Sequence, residues 1–531
     1  MKTIDFTVLA IYAIAVFGLA QWVSREQNKH QKNTTDYFLA GRSLPWWAIG
    51  ASLIAANISA EQIIGMSASG YGIGLAIASY EWMAALTLLI VAKFLLPIFL
   101  KNGVTTMPNF LEQRFGPLVR TVMAVFWLSL YILVNVTSIL WLGSIAVHAV
   151  TGVNQMEALI IIGVFALCYQ LWGGLKAVAL TDIVQVTLLI AGGLTIAAIS
   201  LSRIDGGHGV SLEHALSGFA TLMQAAPQKF HMILKPGDIG YDKLPGLSVL
   251  LGGMWIMNVS YWGFNQYIIQ RALAAKNLNE AQNGIAFAAY LKLLMPVIVV
   301  VPGLAAVVLA PHLSPSDRAY PEMMKLLPPG LLGLVFAALA AAIIASLAAK
   351  INSIATIFTL DIYKPMRPDT SETDLVKIGR LAAIAATVIG IVLAKPLLGG
   401  ADQAFQFIQE FTGFFTPGIV VIFLLGMFWK RTSAAGALTA AIGSVVLSGM
   451  FWASTTFPAL HYLPDMPFMN RVGLVFLLSG AAAIIISLIR PAPAGVSTMT
   501  LEGVSYKTGL IFNLAAVGVM IALVVIYKTF W

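Results

Sequence analysis

Apolar stretches of about 20 residues, each long enough to cross hydrocarbon as a helix, recur along almost the whole chain. Few folds accept such a sequence. Of its 531 residues, 59% are hydrophobic and 10% charged, whereas soluble domains carry about 25% charged residues. So few charges cannot cover a water-facing surface. A soluble enzyme and a nucleic-acid-binding protein are excluded. The expected class is an all-α polytopic membrane protein surrounded by a lipid bilayer.

A window of about 19 residues gives about 14 transmembrane helices. The first, residues 4–23, is long enough to span and lacks a small-residue cleavage pattern, so it reads as a span rather than a leader. The longest polar connection is 203–244. With the N-terminus outside, about 18 of the 31 Lys and Arg fall on the inner side and about 10 on the outer, as cytoplasmic loops require. An even helix count places both termini outside. The net charge of +8 follows from this bias and needs no acidic partner. The single cysteine, Cys168, cannot form an intrachain disulfide, and no Cys/His spacing suggests a metal centre.

Polar residues inside spans carry the functional information, because each is costly there. The second span reads Ser52-Leu-Ile-Ala-Ala-Asn57-Ile-Ser59-Ala-Glu61-Gln62, followed by Gly65, Gly70, Gly72 and Gly74. This density predicts a broken helix, and transporters place substrate and ion at such breaks. The plainer alternative is a polar helix end at the surface. Five spans later, the seventh helix carries a comparable interruption between Gly252 and Gln266, with Asn258, Ser260 and Tyr261 inside it. Two broken helices five spans apart predict an inverted repeat.

Glu81, Lys292, Gln406, Gln409, Glu410 and Asp182 also fall inside spans. Glu81 and Lys292 are expected to compensate each other. Amide, carboxylate and ammonium groups together suit a neutral polyol, whose hydroxyls both donate and accept. Asn258 and Tyr261 are i,i+3, and Phe405 and Gln409 are i,i+4, so each pair shares a helix face. Ordinary core packing is the competing reading for such pairs. Lys350 is read as snorkelling toward the cytoplasm; the sharper alternative is a cation that competes electrostatically with a transported cation. No nucleophile–base pair is visible, so no enzymatic activity is expected.

At these residues the chain resembles the sodium/solute symporter family, in its sodium/glucose–galactose branch. The resemblance rests on Asp36 to Arg42 with Trp46-Trp47, Ser52 to Gln62, Tyr80-Glu81-Trp82, Gly173-Gly174 with Thr181-Asp182, Tyr261 through Gln270-Arg271, Lys292, Asn352, and Asp361 to Lys364. It implies a 5+5 inverted-repeat core of the APC/leucine-transporter type, with one extra helix before it and three after. The parts would be 1–44 (first helix and loop), 45–202 (repeat 1), 203–244 (extracytoplasmic loop), 245–428 (repeat 2) and 429–531 (three C-terminal helices).

The resemblance further implies a plasma-membrane symporter, in the inner membrane if bacterial, that takes up galactose or glucose with sodium by alternating access. Sodium is the coupling ion and no cofactor is implied. The functional unit would be a monomer, with a dimer allowed. The sugar ligands map to Asn57, Gln62, Glu81, Asn258, Lys292 and Gln409. Tyr261 would stack on the sugar as the inner gate; Met66, Tyr80 and Phe405 would form the outer gate. Sodium would take carbonyls of Ala55, Ile58 and Ala342 and the hydroxyl of Ser346, leaving past Asp182. Two departures stand out: Ala84 and Ala345 replace serines of this branch. They keep two alternatives open, a symporter for a cyclitol, organic acid or amino acid, and a weakly coupled sugar facilitator or sensor.

Overall fold

The computed structural model describes residues 1–24, 44–104, 106–172, 175–492 and 501–531, apart from the side chains of residues 16, 17, 19–24, 171–182 and 458. The Asp36–Arg42 motif, the Gly173-Gly174 pair and the side chains of Thr181 and Asp182 therefore lie outside the described residues.

The described chain is helical, with one isolated bridge between Leu44 and Ala275. Nine of the described helices are long and apolar enough to cross a bilayer, and eleven spans result when each of two bent pairs counts as one. Thr3–Ala15 and Gln155–Gln170 are shorter apolar helices, and 247–273 is divided into three pieces. The 203–244 connection folds outside these spans around an amphipathic helix, Leu212–Ala225, begun by a Ser211 cap.

The second span is broken. Trp46–Asn57 and Glu61–Gly72 meet at 70°. Both halves lean on the helix Leu278–Leu309, and glycine makes the approach close enough. A Cβ on Gly284 would fall 2.7 Å from the Trp46 carbonyl, and one on Gly303 would fall 2.1 Å from the Ser67 carbonyl. Such small-residue contacts let backbones pack without side chains between them. Glu280 holds the start of the first half by accepting from the Trp46 N–H at 2.6 Å.

The seventh span departs from expectation. Its polar run does not open the helix. Gly253–Phe264 is continuous through Asn258, Ser260 and Tyr261, and the interruptions fall at Gly252 and Asn265 on either side. The Asn258 amide donates to the Met254 carbonyl one turn back, so this side chain is satisfied by its own helix. The span expected over 402–428 is also bent, by 41°, between Ala404–Thr412 and Thr416–Phe428. Pro417 in the first turn of the second piece is the local signal for that restart.

Candidate functional site

The break after Asn57 exposes main chain. Ile58 N–H still bonds to the Ile54 carbonyl, and the ladder resumes with Ile63 to Ser59. Among the described residues, no backbone donor reaches the carbonyls of Ala55 and Ile58. A wide π-turn, Glu61–Gly65, then carries Glu61 and Gln62; such turns interrupt α-helices frequently at functional sites.

Glu61 and Gln62 face a cavity of about 120 Å³ between the segments 46–72, 75–101, 117–151, 253–273, 278–309, 331–366 and 404–428. Lys292 donates to Glu81 Oε2 at 2.6 Å and to the Asn57 Oδ1. Gln62 Nε2 donates to the other Glu81 oxygen. Asn57 Nδ2 donates to the Tyr261 hydroxyl at 3.0 Å. The Lys292 ammonium also lies 5.0 Å from the centre of the Trp262 ring, a cation–π distance. A buried ion pair seldom adds net stability, but removing one partner is costly. These groups are thus held by one another, with hydrogen-bonding atoms turned to a common space.

Of the expected sugar ligands, Asn57, Gln62, Glu81, Asn258, Tyr261, Lys292 and Gln409 all line this cavity, as does Ala84. Tyr80 and Phe405 meet edge to face at 5.3 Å at its wall. Met66 is fully buried behind Gln62, with its sulfur 2.7 Å from Nε2, and does not line the cavity. Ala342 and Ser346 lie on Leu331–Ile357 but are not lining residues, and no described hydrogen bond joins them to Ala55 or Ile58.

Sequence reasoning did not place Lys350, Tyr267, Asn135 or Glu61 among the site's ligands. Lys350 does not snorkel: its side chain is buried and turns into the cavity, where it donates to the Tyr267 hydroxyl at 2.9 Å and to Asn135 Oδ1 at 3.2 Å. Tyr267 in turn donates to the Tyr261 hydroxyl at 2.8 Å. Glu61 accepts from Ser138 and Ser59. The signal available was spacing: Lys350 is one turn beyond Ser346, and Tyr267 follows Tyr261 across the Asn265 break. Gln406 and Glu410 belong to the scaffold. Gln406 reaches Ser69, and Glu410 pairs with Arg471.

The cavity's four ionisable carboxylates and ammoniums, Glu61, Glu81, Lys292 and Lys350, sum to zero charge. Such a lining matches an uncharged solute better than an anion or a cation.

Residues 37–444 match the family model for the sodium:solute symporter family. The chain is 47% identical to a sodium/glucose cotransporter of Vibrio parahaemolyticus, over 100% of this chain and 99% of that one. It is 33% identical to a sodium/myo-inositol cotransporter 2 of Sus scrofa, covering 83% of this chain and 68% of the relative. Its fold matches that of a Na+-coupled sialic acid symporter in a substrate-bound outward-open state, with a TM-score of 0.75 at 24% identity over 93% of this chain and 99% of the other. The broken helix, its cavity and these likenesses agree: the chain belongs to the sodium:solute symporter family.

Proposed function

We propose that this protein couples the inward movement of sodium to uptake of a neutral monosaccharide of the glucose or galactose type, by alternating access. The observation that carries this reading is the charge-neutral cluster of Gln62, Glu81, Asn57 and Lys292 beside a helix break with free carbonyls. Each of these side chains offers a donor or an acceptor to a sugar hydroxyl. Asn258 and Gln409 complete the ring of amides, and Tyr261 offers a flat face to the pyranose.

Sodium is a hard cation that takes oxygen ligands. In this reading the Ala55 and Ile58 carbonyls supply two, and the Ala342 carbonyl and Ser346 hydroxyl of the 331–357 helix supply the others. Sodium bound there steadies the outward-open state. Sugar then enters, Tyr80 and Phe405 close above it, and Tyr261 moves to release both solutes inward. A potential of about 100 mV contributes about 2.3 kcal/mol per charge, and a tenfold sodium gradient about 1.4 kcal/mol. One sodium thus concentrates sugar roughly 500-fold. We place the protein in the plasma membrane with both termini extracytoplasmic and the monomer as the working unit.

The second reading is a cyclitol substrate. Ala84 at the cavity wall favours it, since it presents a methyl group where a hydroxyl would mark a particular ring position. Proteoliposomes loaded without sodium, given labelled galactose, glucose or myo-inositol in sodium or choline, decide between them. Sodium-dependent accumulation of a hexose above its external concentration is expected. Mere equilibration in both salts contradicts the coupled reading, and accumulation of myo-inositol alone selects the second.

A further inference from the structure

Two lysines reach the Tyr261 hydroxyl by separate routes, each through one intermediary. On one side Lys292 donates to Asn57 Oδ1, and Asn57 Nδ2 donates to Tyr261. On the other Lys350 donates to the Tyr267 hydroxyl, and Tyr267 donates to Tyr261. An ammonium has three donors and no acceptor. Its neighbours must therefore turn an oxygen toward it. Lys292 thereby fixes which end of the Asn57 amide faces Tyr261. Lys350 likewise fixes the Tyr267 oxygen as acceptor, leaving its proton directed at Tyr261. The Tyr261 oxygen is a double acceptor whose two bonds are both oriented by buried cations.

Lys350 is well anchored for this role. Its ammonium lies 4.1 Å from the centre of the Tyr267 ring and 5.6 Å from that of Tyr131. The Tyr131 hydroxyl bonds Asn265, the residue at which the seventh span is interrupted. Asn135 accepts from Lys350 and reaches Glu61 with its other end, so the charge on Lys350 is balanced within the cavity. The lysine stands on the same helix as Ala342 and Ser346.

We propose that Lys350 is a positioning residue for the Tyr261 gate: it latches the gate shut through Tyr267, and displacement of its helix releases the latch. The inference rests on the sodium-coupled transport reading. When sodium leaves the first break, the 331–357 helix shifts, Lys350 draws away from Tyr267, and Tyr261 loses one of its two oriented bonds. The gate then opens in step with ion release.

The test uses the full chain in proteoliposomes and reads three quantities: sodium-driven sugar accumulation, sodium-free sugar efflux, and half-saturation for external sugar. Tyr267→Phe removes the intermediary hydroxyl and keeps every charge. Lys350→Met combined with Glu61→Gln removes the ammonium and keeps the cavity neutral, which guards against an uncompensated carboxylate. Each is expected to raise sodium-free efflux about tenfold, the worth of roughly one oriented hydrogen bond, and to lower the accumulation ratio. Half-saturation for external sugar is expected to move less than efflux does. Adding Tyr267→Phe to the lysine variant is expected to change efflux no further, because both act on one relay. Parental efflux in both variants, or effects that multiply, would overturn the latch. A parent chain that does not accumulate sugar with sodium refutes the transport reading itself; a parent that does, with efflux unmoved by the substitutions, refutes only the latch.

Discussion

The two interrupted spans solve the same problem differently. In the first, the chain opens between Asn57 and Glu61, bends by 70°, and leaves the Ala55 and Ile58 carbonyls without backbone donors among the described residues. In the second, single residues interrupt the helix, and the side chains at the interruption are tied to neighbouring segments. Asn265 accepts from Tyr131 at 3.0 Å, and Gln266 accepts from the Met107 N–H at 2.7 Å. Irregular backbone at membrane depth must be satisfied by something. The first break offers main-chain carbonyls to a solute; the side chains at the second are already engaged by neighbouring segments. The first therefore suits an ion site. The second suits a hinge that carries Asn258 and Tyr261 on intact helix.

The largest expected effect is at the pair that ties the first break to its neighbours. Lys292→Ala leaves Glu81 buried beside Gln62 without its cation. It should abolish sugar binding and cost about 3–5 kcal/mol of stability, measured by thermal unfolding in detergent. Lys292→Met with Glu81→Gln should recover most of that stability and none of the binding; full stability in the single variant would show that the pair is not confined as described.

Gln62→Ala is next. It removes an amide from the cavity without stranding a charge, and should weaken sugar binding by about 1–3 kcal/mol with little change in melting temperature. Unaltered affinity would detach the π-turn from the substrate.

Ala345→Ser sharpens the comparison from the ion's side. A hydroxyl restored one residue before Ser346 should tighten sodium by about 1 kcal/mol, read as the sodium concentration for half-maximal uptake. Asn265→Ala should do the reverse of both: lower stability by about 1 kcal/mol through the orphaned Tyr131 hydroxyl, and leave that sodium concentration where it was. A large sodium effect at Asn265 would erase the distinction between the two breaks.

The smallest effect lies away from both. Asp317, in the connection between the helices Leu278–Leu309 and Leu331–Ile357, is fully buried. Burial chiefly, with Asp402 nearby, pushes its carboxyl well above the usual carboxylate range, against the Ala404 N–H that lowers it. A raised carboxyl favours the folded state at low pH, and that contribution is lost as pH rises through the folded value. The melting temperature should therefore gain slightly on mild acidification from neutrality, and Asp317→Asn should flatten that slope.

Much of this was legible in the residues. The Asn57–Gln62 run could not stay helical cheaply in hydrocarbon, and Glu81 and Lys292 had few ways to be buried except together. What misled was polarity taken alone. Asn258 and Ser260 looked like a break, yet a short polar side chain can bond to its own helix one turn back. The actual interruption, at Asn265, depends on Tyr131 from another span, which spacing along the chain does not reveal. Lys350 failed for a related reason: a lysine near a span's end ordinarily reaches water, and only the arrangement of Tyr267, Tyr131 and Asn135 around it makes burial tolerable. Arg114 belongs with it. It is buried and donates to the carbonyls of Gly426, Lys430 and Thr432 at the end of Thr416–Phe428, where a cation is favoured.

The central claim is that a solute cation at the first break and a sugar at the Glu81–Lys292 cluster stabilise one another. Equilibrium binding of tritiated galactose or glucose to the purified protein, with sodium replaced stepwise by choline at constant ionic strength, tests it most directly. Affinity should fall steeply as sodium is withdrawn and be weaker in Gln62→Ala by about 1–3 kcal/mol at every sodium concentration. Equal binding in choline and in sodium would contradict it.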